Sequence, residues 1–403
     1  MESESGKIKH RPERVMIVSK FFSRRGGAEI HAIELERLLA PVVEATAVYA
    51  MHHSNNVEPV GKLYEAPEVS ITGSLGNRLR ATNRIMGGAG VVNAFEQALD
   101  DFKPTVVHLH NIHSYLSPVV AQIASERGIR VVWTLHDYKL LCPSYSFLRR
   151  GEECRDCLSS KSAVLLSKCM KDSVAASAVA YAEALKWRRN RIEKWVDSFI
   201  CPSSFMADRM SDGGYDGSKL IVLPNFTTLP APENVDTPRS GICYIGRLSK
   251  EKGVDMLLEV AAEQGWPLTV AGDGPLAQAL QERYATSPNI RFTGHLTADE
   301  IRELLLASQV AAVPSDWDEN CSLSIIEALT CGTPVVASDA GGNPDLIEPA
   351  SGLLFKRGDK TSLRKALQQA LAMDWNHTDI SRQAVLRFSP DTYLKALLPI
   401  YAD

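Results

Sequence analysis

The chain has 403 residues, of which 45% are hydrophobic and 23% charged, a balance typical of a globular protein and not of a disordered or collagen-like one. No apolar run reaches the ~18 residues of a membrane-spanning helix, and the first residues, MESESGK, lack the apolar region of a secretory signal. These features predict a cytoplasmic protein with more than one domain.

The net charge of −4 hides a difference between the two halves of the chain. Residues 1–200 carry 27 Lys and Arg against 22 Asp and Glu, a charge of +5, whereas the remainder carries 17 against 26, a charge of −9. The difference indicates two bodies with different partners. No basic run is interleaved with aromatic residues, so no nucleic-acid partner is expected.

Short β-branched segments alternate with helical ones along both halves, which is typical of βαβ units around a parallel sheet. We therefore predict two Rossmann-like α/β domains that face each other across a cleft, with ligands beyond the carboxyl ends of the strands. The predicted strands are 14–19, 45–51, 105–110, 130–135, 197–202 and 220–223 in the first half, and 241–246, 267–271, 290–293, 309–314 and 333–338 in the second.

A proline-rich segment, TTLPAPENVDTPR at 227–239, predicts an exposed linker because its prolines prevent regular strand pairing. It divides an N-terminal domain (1–226) from a C-terminal domain (240–388). A final helix is expected at 389–403, because Ser389 and Pro390 suit the N-cap and the first helical position.

In each half of the chain, a glycine-bearing loop follows the first strand. Gly26 and Gly27 precede a helix expected near Ala28, where backbone N–H groups can bind an anion; a plain tight turn fits the pair equally well. In GRLSKEKG, Arg247 and Lys252 precede a helix expected near Val254, and two cations at a helix start suit a diphosphate. Solvated surface charges are the alternative, which the recurrence of such a loop in both halves weakens.

A third segment, PSDWDENCSLSIIEAL at 314–329, carries two glutamates eight residues apart. Glu319 ends a loop before a helix expected near Cys321, and Glu327 lies about two helical turns further on. The pair suits binding of sugar and ribose hydroxyls, although on spacing alone a cap-region glutamate and a surface glutamate fit better. The string Asp316-Trp317-Asp318 resembles a metal-binding D-x-D motif but is interpreted as incidental.

These motifs occur in a recognisable order: GG near the N-terminus, GRLSKEKG, AGDGP, PSDWDEN, and E-x₇-EA followed by GTPVVASDAGG. Together they resemble the retaining glycosyltransferases of family 4, which have the GT-B fold. The resemblance extends from Val15 to the final helix and is strongest from Gly241 to Gly342.

The resemblance implies a sugar transfer from a nucleotide-diphosphate sugar to an acceptor hydroxyl with retention of configuration and without a metal. It places the acceptor, a carbohydrate or lipid-linked molecule of polysaccharide or glycolipid synthesis, on the N-terminal domain, to which the final helix would return. The alternatives are a nucleotide-sugar 2-epimerase of the same fold and a non-catalytic sugar-nucleotide binding subunit.

The resemblance also assigns roles to single residues. Arg247 and Lys252 would bind the diphosphate and offset charge on the leaving group, and Glu327 would hold the ribose. Glu319, the amides of Asn320, Cys321, Ser322 and Leu323, and His136 would lie at the donor sugar. Gly26 and Gly27 would lie near the diphosphate.

Histidines cluster after the predicted strands. His108, His110 and His113 lie within six residues, but strand alternation puts only the first two on one face. Hydrogen-bonded histidines are therefore favoured over a metal site. His110 and Asn111 are expected to face the acceptor.

Four cysteines, in the order C-x₁₁-C-x₂-C-x₁₁-C, fall in an excursion at 140–171. They suit either a structural zinc site or unmetallated thiols, and disulfides are not expected in a cytosolic protein. These residues are Cys142, Cys154, Cys157 and Cys169.

The stretch ALKWRRNRIEKWV at 184–196 predicts a basic helix with tryptophans on an apolar edge. Such a helix can lie on an anionic membrane surface. The alternative, a domain helix with Trp187 and Trp195 in the core, is slightly favoured.

Overall fold

A computed structural model of the chain describes residues 14–24, 26–70, 74–235 and 237–402. The segment MESESGK, on which the prediction about a secretory signal rests, lies outside these ranges. The described chain forms two compact units. The first contains the chain from residue 14 to Pro202, Met206–Leu223 and the residues from Tyr393 onward, and the second contains Ser203–Phe205 and Pro224–Thr392.

The first unit is built on a seven-stranded parallel sheet of order β3-β2-β1-β4-β5-β8-β9, with a separate hairpin of β6 and β7. The order reverses between β1 and β4, and this switch point is where open α/β sheets bind ligands. The strands are β1 (Arg14–Val18), β2 (Ala45–Met51), β3 (Lys62–Ala66), β4 (Val106–Leu109), β5 (Arg130–Thr134), β6 (Leu148–Arg149), β7 (Glu152–Glu153), β8 (Ser198–Cys201) and β9 (Leu220–Val222).

Helices of the first unit connect these strands. They are α1 (Gly27–Leu39), α2 (Leu75–Ile85), α3 (Ala89–Phe102), α4 (Val119–Glu126), α5 (Asp156–Ser159), α6 (Ala163–Leu166), α7 (Val174–Lys186), α8 (Arg189–Trp195) and α9 (Ser204–Asp212), which begins in the second unit.

The second unit repeats the arrangement with a six-stranded parallel sheet of order β12-β11-β10-β13-β14-β15. Residues of β10 alternate between two cores, with Tyr244 facing one and Cys243 the other. The elements are β10 (Ile242–Ile245), α10 (Val254–Gln264), β11 (Leu268–Ala271), α11 (Ala277–Arg283), β12 (Ile290–Gly294), α12 (Ala298–Ala307), β13 (Val310–Val313), α13 (Leu323–Thr330), β14 (Val335–Ser338), α14 (Asn343–Leu346), β15 (Gly352–Phe355), α15 (Lys360–Ala372), α16 (His377–Phe388) and α17 (Pro390–Ala402), whose residues from Tyr393 belong to the first unit.

The predicted α/β class is confirmed, and each predicted strand is present to within two residues. The prediction omitted β3 and β15, which each lie at the edge of a sheet, and the short hairpin strands β6 and β7. The sequences of β3 and β15, KLYEA and GLLF, hold no β-branched residue, so they lack the composition on which the strand predictions rest.

The segment predicted as an exposed linker is partly buried, so that prediction is wrong in part. Leu229 and Val235 are buried, and the segment belongs to the second unit. The Arg239 guanidinium donates hydrogen bonds to groups near the ends of α12 and α13, where helix carbonyls need partners. Its acceptors include the carbonyls of Leu305, Ser308 and Cys331 and the hydroxyl of Thr333.

The basic stretch at 184–196 forms two helices, α7 and α8, and not the single helix predicted. The chain leaves the helical conformation at Trp187 and is extended at Arg188. The Trp187 indole is buried and donates to the Ile85 carbonyl over 2.9 Å, and Trp195 is also buried. Both tryptophans are therefore core residues. None of the described helices has the length and apolar character needed to span a bilayer.

Candidate active site

The candidate donor residues follow the two strands on either side of the switch point of the second sheet. Arg247 and Lys252 lie in the loop after β10, and Glu319 lies in the loop after β13. The Arg247 guanidinium is exposed and has no hydrogen-bond partner among the described residues. Residues that are far apart in sequence thus come to one edge of the sheet.

Lys252 and Glu319 form an ion pair, with 2.6 Å between Nζ and Oε1. The loop turns at Gly253, which has a φ of 66°. A Cβ at this position would lie 1.9 Å from the Pro314 carbonyl oxygen, so only glycine lets the Lys252 loop approach the end of β13 this closely.

Glu319 is a buried carboxylate that remains ionised. Burial raises its pKa, but the charge and hydrogen bond of Lys252 and a hydrogen bond from Ser315 more than offset this, so the pKa is lowered. The Ser315 hydroxyl donates to Oε1 over 2.5 Å. Sequence reasoning missed Ser315, although it lies four residues before Glu319.

The segment from Asn320 to Leu323 leads into α13, which begins at Leu323 with Ser322 as its N-cap and not near Cys321 as predicted. The loop is fixed by Gly341, whose φ is 61° and whose Cβ would lie 2.1 Å from the Glu319 carbonyl oxygen. Backbone N–H groups at the start of α13 have no helical acceptor and can bind ligand oxygens.

Glu327 lies within α13 and is partly buried. Its carboxylate has no hydrogen-bond or ion-pair partner among the described residues, and burial raises its pKa to about 7. A desolvated carboxylate of this kind gains from a ligand that donates hydrogen bonds to it.

The D-W-D string does not place two carboxylates together as free ligands. Asp318 is buried and pairs with Arg357, with 2.8 Å between Oδ1 and Nη1, whereas Asp316 is exposed. The Asp318 carboxylate is thus held by a cation from the chain itself.

In the first unit Gly26 caps α1 and Gly27 is its first residue. Gly26 has a φ of −165°, which any residue adopts, and Gly27 is not in the left-handed region. Their conformation therefore does not require glycine, and a Cβ at Gly26 would meet the Glu29 carboxylate at 3.2 Å.

Histidines from three elements meet at the switch point of the first sheet. His110 follows β4 and His136 follows β5, and the atoms His110 Nδ1 and His136 Nε2 are 2.9 Å apart. His31 of α1 packs edge-on against the His136 ring at 5.2 Å. The His108 ring stacks on that of His110 at 4.5 Å, whereas His113 packs on Trp133 instead.

Burial keeps these imidazoles neutral. It lowers the pKa of His31 and of His108 to about 3, and it lowers the pKa values of His110 and His136 well below 6.5 together with the neighbouring rings. Sequence reasoning missed His31, for which the one signal is its position four residues after Gly27 in α1.

Among the described residues, His31, His110 and His136 form a group of potential metal ligands. Their ligand atoms all lie within 4.8 Å of one another. The four clustered cysteines do not form such a group. Cys142 and Cys157 are buried and their thiols are hydrogen-bonded, which lowers the pKa of Cys142 to about 5 and raises that of Cys157. Zinc at Cys142, Cys154, Cys157 and Cys169 stays a prediction.

Comparisons with known proteins match both units. The family described as Glycosyltransferase Family 4 matches residues 25–229, and the family described as Glycosyl transferases group 1 matches residues 225–386. The chain is similar to the sulfoquinovosyl transferase of Arabidopsis thaliana, with 28% identity over 64% of this chain and 48% of the relative. It is also similar to the GDP-mannose-dependent alpha-mannosyltransferase of Corynebacterium glutamicum, with 32% identity over 40% and 39% of the two chains.

The chain spans 36% to 65% of the first four curated relatives. Among solved structures, the chain is similar to Anabaena HepE in complex with UDP and glucose, with a TM-score of 0.68 and 18% identity. The match covers 98% of this chain and 100% of the HepE chain. It is also similar to a sucrose-phosphate synthase from Thermosynechococcus elongatus, with a TM-score of 0.69 and 17% identity. This match covers 97% of this chain and 98% of the synthase chain. These neighbours confirm the predicted GT-B fold, and the chain belongs to the glycosyltransferases that join a Family 4 domain to a group 1 domain.

Proposed function

We propose that the protein is a retaining glycosyltransferase that transfers a sugar from a nucleotide-diphosphate sugar to an acceptor hydroxyl. The observation that carries the proposal is the convergence of Arg247, Lys252 and Glu319 at the switch point of the second sheet, where a diphosphate and a sugar can be bound side by side.

Donor binding follows from the charges of these residues. The exposed Arg247 guanidinium and the Lys252 ammonium bind the diphosphate and stabilise the charge that develops on it as it leaves. Lys252 can keep its contact with Glu319 while another of its three N–H groups binds a phosphate oxygen. The Glu319 carboxylate accepts hydrogen bonds from the sugar hydroxyls, together with the N–H groups from Asn320 to Leu323.

The ribose binds at Glu327. Burial raises the pKa of Glu327, because in the free protein no hydrogen bond or cation from the described residues stabilises its carboxylate form. The two ribose hydroxyls supply the missing hydrogen bonds. HepE has been solved with UDP-glucose, so uridine diphosphate sugars are the first donors to test.

The chemistry is a displacement on one face of the sugar. The bond from the anomeric carbon to the phosphate oxygen breaks, the bond from that carbon to the acceptor oxygen forms, and the acceptor proton moves to the leaving phosphate. His136 contacts the transferred sugar. No divalent cation is needed, because Arg247 and Lys252 supply the positive charge and Asp318 is already paired with Arg357.

The acceptor binds to the first unit, near the partly buried Asn111. His110, which was also expected to face the acceptor, is buried within the histidine cluster and does not contact it. A relative from Arabidopsis thaliana, 23% identical over 89% of this chain, belongs to the phosphatidylinositol N-acetylglucosaminyltransferase as one of its subunits. Lipid-linked and carbohydrate acceptors of polysaccharide or glycolipid synthesis are therefore the classes to test.

The test is a product assay with uridine, guanosine and adenosine diphosphate sugars, in the presence and absence of acceptors and of EDTA. We expect an α-linked product from an α-linked donor, formed also in EDTA, and a loss of turnover in Glu319→Ala. Inversion of the anomeric centre, a trapped glycosyl-enzyme adduct or a manganese-restored loss in EDTA contradicts the mechanism. A 2-epimer formed without acceptor indicates an epimerase, and donor binding without turnover indicates a binding subunit.

A further inference from the structure

The histidine cluster of the first unit holds more imidazoles than the one, His136, that the family resemblance implies. His110 contacts His136 through a hydrogen bond of 2.9 Å between Nδ1 and Nε2. Because both rings are neutral, one of these two nitrogens carries the proton and the other accepts it. Which nitrogen is the donor decides what His136 can offer to a ligand.

The other nitrogen of His110 settles the direction of this bond. His110 is 1% exposed, and its Nε2 atom is buried and has no hydrogen-bond partner in the part of the chain that the structure describes. Burying an unpaired N–H is rarer in proteins than burying an unpaired acceptor. The proton of His110 therefore belongs on Nδ1, from which it is donated to His136 Nε2.

The Nε2 lone pair of His136 accepts the proton of His110, so the single proton of His136 lies on Nδ1. The Nδ1 atom has no partner among the described residues, and His136 is only partly buried. His136 thus presents an N–H donor and no free lone pair.

The surrounding side chains hold His110 in this position. The His108 ring stacked on it is fixed at both nitrogens, with Tyr401 Oη at 2.6 Å from Nδ1 and Thr134 Oγ1 at 2.7 Å from Nε2. The His31 ring lies tilted against that of His110 at 5.7 Å. Its Nε2 atom lies 3.2 Å from Tyr393 Oη. Tyr393 and Tyr401 are eight residues apart in α17 and lie on one face of it.

We propose that His110 is a positioning residue that fixes the tautomer of His136, so that His136 contacts the substrate as a neutral hydrogen-bond donor at Nδ1 and not as a general base. The role of His136 toward substrate rests on the proposed function, whereas the tautomer itself does not.

The spacing of the two rings in this structure is that of a hydrogen bond and not of a shared metal ion. Two imidazoles that bind one tetrahedral ion at about 2.0–2.1 Å hold their nitrogens about 3.3 Å apart. The 2.9 Å between His110 and His136 is instead a hydrogen-bond distance.

The direct test is nitrogen-15 NMR of the histidine imidazoles in the full chain without ligand. At pH 7 we expect a neutral His136 with the proton on Nδ1. His110→Ala should give a mixture of the two tautomers, and His110→Asn, whose amide N–H lies close to the position of Nδ1, should restore the original one. His113→Asn, outside the cluster, is the matched control and should leave the His136 signals unchanged.

The wild-type spectrum decides the matter even if a variant fails to fold. A proton on Nε2, a charged ring at pH 7, or one equivalent of zinc in the wild type that is lost in His110→Ala overturns the proposal. In the transferase assay we expect His110→Ala to lower kcat roughly tenfold to a hundredfold with little change in the donor KM, as for an interaction made in the transition state, and His110→Asn to restore it. Full activity in His110→Ala with an altered tautomer also overturns it. If the tautomer is as expected but no donor is turned over, only the proposed function fails.

Discussion

The two units have the same strand order around their first strand, and both place their candidate residues at the switch point, yet the chemistry at these points differs. The second unit gathers charges, with Lys252 paired to a buried Glu319. The first gathers neutral rings, with His110 and His136 joined by one hydrogen bond. One scaffold thus supports an ionic site and an uncharged one, because the loops and not the sheet carry the chemistry.

The comparison also explains why net charge is a poor guide to ligand binding. The half of the chain with a charge of −9 contains the cations proposed for the diphosphate, and the half with +5 contains the buried neutral cluster. Potential at a site is set by the few charges within a Debye length and by burial, and distant surface charges are screened.

The largest expected effect is on the free energy of unfolding in mild acid, where the two units respond in opposite directions. The pKa values of His31 and His108 lie near 3 in the folded protein, so below about pH 6.5 the unfolded chain binds more protons and stability falls. Each imidazole costs about 2 kcal/mol at pH 5. Glu327, with a raised pKa of about 7, stays protonated in the folded state and offsets about 2 kcal/mol of this loss.

Guanidinium unfolding at pH 7 and pH 5 separates the two contributions. In Glu327→Gln we expect the free energy of unfolding to fall by at least about 4 kcal/mol between pH 7 and pH 5. When His108→Asn is added to this variant, we expect the fall between the same pH values to be about 2 kcal/mol smaller. An equal pH dependence of Glu327→Gln and the wild type would show that the Glu327 pKa is not raised.

The next largest effect concerns the charges of the second unit. Lys252→Ala should lower kcat/KM for the nucleotide sugar by roughly 10²–10³-fold, because it removes the proposed charge stabilisation of the leaving group and leaves Glu319 buried without its cation. Lys250→Ala removes an exposed lysine from the same turn and is the control, expected to act less than threefold. A similar loss in both variants would mean that only the overall charge of the loop matters.

A smaller effect tests the backbone that brings the two loops of the second unit together. Gly253→Ala and Gly265→Ala place a Cβ on residues with almost the same φ, 66° and 65°, but only the first meets an atom, the Pro314 oxygen at 1.9 Å. Both should lose about 1–2 kcal/mol of stability from left-handed strain, and Gly253→Ala should lose a further amount and weaken nucleotide binding. Equal losses measured by thermal unfolding, with equal nucleotide affinity, would contradict the close approach.

The smallest effect is the pH dependence of nucleotide binding at Glu327. If the carboxylate form of Glu327 accepts the ribose hydroxyls, as proposed, and its pKa is about 7, calorimetry should show affinity for the nucleoside diphosphate falling about tenfold from pH 8 to pH 6. Glu327→Gln should retain only the titration of the ligand itself. An unchanged pH profile in that variant would remove Glu327 from the ribose site.

Much of the fold could be predicted from the sequence, because buried parallel strands are short β-branched runs such as those of β1 and β5, and their periodicity is local. Glycine-bearing loops and helix starts are local as well, which was enough to propose Arg247 and Lys252 for a diphosphate. The donor role of Glu319 was implied only by the family resemblance, because its spacing alone favoured a cap-region glutamate. The edge strands β3 and β15 could not be predicted, because they hold no β-branched residue, whereas the edge strands β9 and β12 hold such residues and were predicted.

Contacts between distant segments were decided only by the tertiary structure. The sequence does not indicate that Lys252 pairs with Glu319 or that Arg239 donates hydrogen bonds at the ends of two helices. It also does not indicate that His31 and the tyrosines of α17 contact the histidines of the first unit. The sequence by itself determined which elements form and which loops can carry chemistry. The order of the strands in each sheet determined which of these loops meet, and burial at that point determined which groups stay charged and which stay neutral.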